Sequence, residues 1–172
     1  MRATIGMMTL ALVCGWLTAK DNPIQTPPLS DAEFIKMVAS DGMHEVELGK
    51  VATARAMNAD VKKFGQQMVT DHTKANEELL TIARDLKVEV PARMMEKHQK
   101  MVDEFKDAQG AQFDTAYMNH MVKDHQQAVA LFRQMGKDAK DARLKQFAEK
   151  TLPVLEQHHD MAKKIRDQLQ KQ

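Results

Sequence analysis

The chain has one cysteine, one tryptophan and one tyrosine among its 172 residues. Cys14 and Trp16 both fall in the first stretch, Met1 to Ala19, which carries Arg2, an apolar run from Ile5 to Leu17, and then Thr18 and Ala19, with no acidic residue before Asp21. That order predicts a secretory leader over residues 1–19, cleaved near Ala19, because the run is too short for a comfortable membrane span. Val13 stands where a small residue would precede a lipidated cysteine, and Ala11 replaces the usual leucine, so a lipid anchor at Cys14 is disfavoured. After cleavage no cysteine remains. Disulfides, thiolate nucleophiles and zinc-thiolate sites are then excluded.

An excess of charge of either sign is also missing. With Arg2 removed, basic and acidic residues balance, and both are interspersed without a basic block, which argues against nucleic acid as a partner. Glycine-rich phosphate loops are absent, as is a serine or cysteine set beside a histidine in a strand-turn-helix context, so no catalytic motif emerges. These features predict an exported protein with no transmembrane span in the mature chain.

Helical periodicity fills the rest. Residues 20–30, with Pro23, Pro27 and Pro28, read as an extended leader to a single domain over 31–172. Ser30 and Glu33 form a capping-box pattern that opens a first helix from about Asp31 to Met57, and a second runs from about Ala59 to Leu86. Pro91 fits the first turn of a shorter third helix ending near Asp107. Gly110 precedes a fourth, about Ala111 to Met135, which Gly136 ends; a fifth runs from about Asp138 to the C-terminus, with a bend expected at Pro153.

The second and fourth helices are each about 40 Å long at about 1.5 Å per residue, whereas the third spans only about 25 Å. The third therefore suits a crossover, after which the fourth runs parallel to the second and beside it. The predicted fold is all-α: a ferritin-like four-helix bundle with a short additional crossover helix between the second and third long helices.

Within that frame, Met68-Val69-Thr70-Asp71-His72 returns as Met121-Val122-Lys123-Asp124-His125. Each histidine takes a place in the apolar stripe of its helix, as does one of His158 and His159 on the fifth helix. Glu47, His72, His125 and His158 lie near the middles of four long helices and are the predicted metal ligands. Three imidazoles and a carboxylate suit zinc, iron, manganese or copper.

Asp71 and Asp124 cannot point the same way as their neighbouring histidines, and are expected to serve adjacent helices or solvent. With Asp114 and Tyr117 they are the candidate supporting groups. Met68 and Met121, one turn before His72 and His125, raise copper(I) as a ligand, although methionine is also a common core filler. His44, His98 and His120 are read as surface residues. A di-iron carboxylate site needs Glu-x-x-His pairs from two helices. Only Glu156 and His159 have that spacing, since Val69 and Val122 stand three residues before His72 and His125.

The segments Glu45-Val46-Glu47-Leu48-Gly49-Lys50, Gln67 to His72, Phe113 to Met118 with Val122 to His125, and Thr151 to His158 together resemble the exported bacterial proteins grouped as domain-of-unknown-function family 4142. The likeness extends over about Asp31 to Leu169. It implies a ferritin-like bundle and an exported location, periplasmic or outer-membrane associated and in association with the cell envelope, marks Glu47, His72, His125 and His158 as polar positions, and implies no established activity. The leading expectation is a non-enzymatic bundle binding one transition metal ion. The alternative is a structural or stress-related envelope protein whose Glu/His cluster is a hydrogen-bonded core network, and a metal-dependent oxidase is the least favoured.

Overall fold

The computed structural model describes residues 29–171 apart from Gln109. The predicted secretory leader and nearly all of the proline-rich segment lie outside the described residues. Five α-helices account for the described fold: α1 (Asp31–Arg55), α2 (Ala59–Asp85), α3 (Glu96–Asp107), α4 (Gly110–Asp138) and α5 (Ala142–Leu169). Among the described residues no helix is long and apolar enough to cross a membrane.

Local chemistry sets most boundaries. The Ser30 hydroxyl accepts from the Glu33 N–H while the Glu33 carboxylate accepts from the Ser30 N–H, completing the predicted capping box. Asn58 caps α2 by accepting from the N–H groups of Asp60 and Val61, and Asp141 caps α5 by accepting from those of Arg143 and Leu144.

Three boundary expectations are corrected. Pro91 does not open α3, which begins at Glu96: Met95 is the N-cap residue, without a side-chain cap of its own, and its N–H is taken by the Ser40 hydroxyl of α1 at 2.8 Å. A contact from another helix thus decides where α3 starts. Gly136 does not end α4, which continues to Asp138; a Cβ there would lie 3.3 Å from Glu149 Cγ, so the glycine serves close approach to α5. α5 accordingly starts at Ala142. Pro153 sits within an uninterrupted α5 on its exposed side, where the carbonyl it leaves without a helical donor can face solvent.

Helices α1 and α2 pack as one hairpin and α4 and α5 as another, joined through α2 against α5 and α1 against α4, while α3 lies on α1. The ends fix the directions. Asp31 accepts from the N–H groups of Lys140 and Asp141 at 3.1 and 2.8 Å, so α1 starts at the α4–α5 turn. Asp114, near the start of α4, accepts from those of Met57 and Asn58 at 3.2 and 2.7 Å, so α1 ends there. Arg143 reaches Asp85 at 3.1 Å, placing the end of α2 beside the start of α5. α2 and α4 are parallel, as predicted, but stand on the diagonal of the bundle rather than side by side. The fold is a four-helix bundle with one crossover helix.

The apolar core is in two parts. One holds Leu48, Ala52, Phe64, Met68, Phe113, Tyr117, Met118 and Met121, and the other Phe34, Ile35, Leu79, Phe132, Leu144, Phe147 and Leu155. Between them, at the middle of all four long helices, the core is polar. Glycine brings α1 and α2 together in the first part: a Cβ on Gly65 would lie 2.8 Å from both the Gly49 carbonyl oxygen and Ala52 Cβ. Because neither contact can yield without shifting a helix, Gly65→Ala should destabilise the protein by about 1–3 kcal/mol. Thermal unfolding followed by circular dichroism checks this; an unchanged midpoint would contradict the close packing.

Candidate metal centre

The polar layer is built from residues that take core positions on their helices. His72 of α2, His125 of α4 and His158 of α5 face one another, with ring centroids 5.7 Å apart for His72–His125, 5.5 Å for His72–His158 and 5.4 Å for His125–His158. His125 and His158 are each 1% exposed, and Phe64 packs edge-on against both. Each of the three can offer one ring nitrogen such that all three atoms lie within 4.8 Å of one another. Bonds of about 2.0–2.1 Å in tetrahedral geometry place ligand nitrogens about 3.4 Å apart. The rings would therefore draw inward on binding an ion.

Hydrogen bonds settle the tautomers of two rings. The Nδ1–H of His125 donates to the Met121 carbonyl one turn back at 3.1 Å, which leaves Nε2 with the lone pair. His158 Nε2–H donates to Asp71 Oδ2 at 2.8 Å, which leaves the lone pair on Nδ1. Those two nitrogens, together with His72 Nε2, are buried without a hydrogen-bond partner. An outer carboxylate or carbonyl orienting an imidazole so that its free nitrogen faces inward is the usual support of a metal-binding histidine.

Charge state agrees. Burial lowers all three histidines, and mutual repulsion adds to it for two of them. His125 is pushed down to about 4 by burial and then by His158; His72 falls well below its ordinary value through burial, His125 and His158. Burial also lowers His158, against the opposing pull of Asp71. The neutral imidazole that a metal requires is the form this core favours.

The other predicted site residues are placed as follows. Glu47 is apart from the histidines: its side chain is 38% exposed and pairs with Lys50 at 2.6 Å. Asp71 serves a neighbouring helix, as expected. Asp124 turns toward Glu45 and His44 of α1 and also acts on His120 of its own helix. Asp114 spends its carboxylate on the α1–α2 turn, and Tyr117 is fully buried, stacked on Phe113 at 5.8 Å, with its hydroxyl unpartnered. Glu156 pairs with Arg133 at 2.6 Å, away from the layer. Met68 and Met121 are fully buried one turn from His72 and His125.

Sequence reasoning missed a second group. Glu45 is 3% exposed, and neither of its oxygens meets a donor in hydrogen-bonding geometry. Burial, followed by the Asp124 carboxylate, raises it well above the ordinary range. His44, read from sequence as a surface residue, is 2% exposed; it stacks on His98 at 4.8 Å and its Nε2 lies 3.1 Å from His120 Nε2. Burial and then His120 push it down to about 4. His98 and His120 are half-buried rather than exposed, and the Ser40 hydroxyl meets His98 Nδ1 at 2.9 Å. Glu45 had a signal: it continues the buried stripe of Val38, Gly42, Leu48 and Ala52, which Glu47 does not.

Comparison with known proteins places this geometry in context. Three solved structures share the fold. CopM in its Cu(II)-bound form aligns with a TM-score of 0.70 at 20% identity, covering 81% of this chain and 97% of that one. CopM in its Cu(I)-bound form aligns at 0.67 and 18%, covering 79% and 94%. A DUF305 fragment from Deinococcus radiodurans aligns at 0.66 and 12%, covering 83% and 99%. No curated protein matches the chain. A family model matches residues 18–165, and the chain accordingly belongs to DUF4142, a domain of unknown function.

Proposed function

We propose that this protein is a metal-binding bundle that holds one transition metal ion among His72, His125 and His158, with copper the preferred ion. One observation carries the reading: three facing imidazoles, each with a buried ring nitrogen that no protein group satisfies. A self-contained hydrogen-bonded network would leave no such nitrogens. Imidazole suits copper as well as zinc and iron, and the thioethers of Met68 and Met121 close by favour the softer ion. The copper-bound forms of CopM on the same fold support that choice. Read with the N-terminal leader, the site belongs to an exported domain over 31–172, working in the periplasm or at the outer membrane. Binding or carrying the ion, rather than turning over a substrate, is its proposed role.

Metal-stripped protein titrated with copper against a competing chelator should take up one equivalent at this site, lost in the variant with His72→Ala and His125→Ala. An ion present at about 100 times its dissociation constant should add about 2.7 kcal/mol of stability. No uptake of copper or zinc, with an unchanged melting temperature on adding either, would sink the proposal. Asp71→Ala removes the acceptor that orients His158, so copper affinity should fall about 10- to 100-fold. An affinity equal to that of the parent would show that Asp71 does not support the site.

Stability of the metal-free protein should rise with pH between about 4.5 and 6.5. His44 and His125 titrate at about 4 in the fold against an ordinary 6.5, and His72 is lowered well below its ordinary value, so over this window the unfolded chain binds more protons at these positions. Asp41, raised to about 6 by burial and Asp124, and the more strongly raised Glu45 act in the opposite sense. Three lowered histidines outweigh two raised carboxyls, and His98, His120 and His158 add to the histidine side. Urea midpoints at several pH values test this. A flat or reversed trend would mean that the imidazoles are charged inside the fold.

A further inference from the structure

An ion held by three buried histidines needs a way in, and two cavities meet at His72. The larger, of about 290 Å³, has the exposed Lys97 and Gln127 in its wall together with His72 and His125; the smaller, of about 170 Å³, has the exposed Lys74 and Lys150 together with His72 and His158. Their charges differ. In the smaller, Lys150 holds Glu78 at 2.7 Å and His158 takes Asp71 at 2.8 Å, so both carboxylates are engaged, and Lys74 adds a second ammonium. In the larger, the carboxyl groups of Asp41, Glu45 and Asp124 are accompanied by one ammonium, that of Lys97, and Val38, Phe132, Phe147 and Leu155 make the wall otherwise apolar. Asp41 stands at the mouth, its side chain 36% exposed and 3.3 Å from His98. Glu45 is deeper, 3% exposed, and neither of its oxygens meets a protein donor. The crossover helix completes the mouth: the Ser40 hydroxyl takes the Met95 N–H at 2.8 Å and meets His98 Nδ1 at 2.9 Å, which holds the start of α3 against Asp41.

We infer that the larger cavity is the entry route of the metal ion, and that Asp41, with Glu45 behind it, draws a hydrated divalent cation in past α3 to His72 and His125. This deepens the three-histidine reading and rests on it. A cleft lined by charge of one sign, with apolar walls, focuses the field and raises association rates by about 10- to 1,000-fold. The attraction doubles for a divalent ion relative to a monovalent one, because it scales with the product of the charges. Glu45 has a different part. An ion passing from the mouth to the imidazoles sheds hydration water, and the Glu45 oxygens, occupied by no protein donor, replace it on the way. Asp41 acts on arrival and is not a ligand of the bound ion, so its charge is read in the rate of uptake more than in the affinity.

Stopped-flow mixing of metal-stripped full-length protein with copper(II), followed by the imidazole-to-copper absorption, tests the route. Asp41→Asn should slow uptake about three- to tenfold at low ionic strength, with most of the difference gone at about 1 M salt. Lys97→Glu, which reverses a charge at the same mouth, should speed uptake by a similar factor, and Glu78→Gln in the smaller cavity should leave it unchanged. Each variant should still bind one copper, with a dissociation constant that moves less than the rate. Should Asp41→Asn not fold by circular dichroism, the exposed Lys97→Glu decides. Uptake slowed by Glu78→Gln and not by Asp41→Asn would put the route between α2 and α5 and overturn the inference. Unaltered uptake with faster release in Asp41→Asn would make Asp41 a group acting on the bound ion, which overturns it too. A parent that binds one copper, lost in the variant with His72→Ala and His125→Ala, at a rate indifferent to all three charge changes overturns the route and leaves the centre standing. A parent that takes up no copper overturns the centre and the route with it.

Discussion

The burial of neutral imidazoles between two apolar half-cores is the constraint from which the rest of this bundle follows. A buried polar atom left without a partner costs about 1–3 kcal/mol, and the middle layer contains several, on His44, His72, His125 and His158. Such a layer persists only if the apolar parts above and below it hold the helices in place. Close glycine packing of α1 on α2 contributes at one end. Carboxylates at the turns contribute at both, Asp114 on the α1–α2 connection and Asp31 on the α4–α5 connection. Each turn is tied to the helix terminus of the opposite hairpin. The two hairpins therefore cannot slide past each other, and the mid-helix side chains stay in one layer.

The repeat of Met-Val-x-Asp-His on α2 and α4 acquires a geometric meaning once these helices are seen to be parallel and diagonal. A half-turn about the bundle axis exchanges α2 with α4 and α1 with α5. Under that operation both histidines point to the centre, and each preceding aspartate, rotated by about 100° on a helix of 3.6 residues per turn, points to the next helix in the same rotational sense. For Asp71 that helix is α5, where it meets His158. For Asp124 it is α1, where it meets His44 and Glu45. One local pattern thus produces two different environments. The helix receiving Asp71 offers an imidazole alone, whereas the helix receiving Asp124 offers an imidazole followed by a carboxyl.

Periodicity made the helices, the capping box at Ser30 and the three central histidines legible in the sequence, because each depends on residues within a few turns. The choice of Glu47 failed for a related reason: a mid-helix position names the layer, whereas only the phase of the apolar stripe names the face. Position 45 is in phase with Val38, Gly42, Leu48 and Ala52, and position 47 is not. His44, His98 and His120 were not legible at all. Their burial depends on where α3 settles, and that is decided by the Ser40 hydroxyl of α1 capturing the N–H of Met95 and meeting His98. The register of α4 into α5 is similarly non-local, since Gly136 ends no helix but lets Glu149 approach.

Water and a cation differ in what they ask of the three-histidine centre. The tautomers fixed by Met121 and Asp71 make Nε2 of His125 and Nδ1 of His158 acceptors. His72 could in principle give a proton to one of them, yet none of the three unpartnered nitrogens meets a protein donor in hydrogen-bonding geometry. A water molecule can satisfy all three only with His72 in its Nε2–H tautomer, donating to His125 and His158 and accepting from His72. Protonating a ring would supply a donor, but burial and the neighbouring imidazoles oppose it. A metal ion accepts all three lone pairs at once, adds no donor that needs a partner, and draws together rings already within 4.8 Å. The same features that make the metal-free layer costly are those on which the proposed metal binding rests.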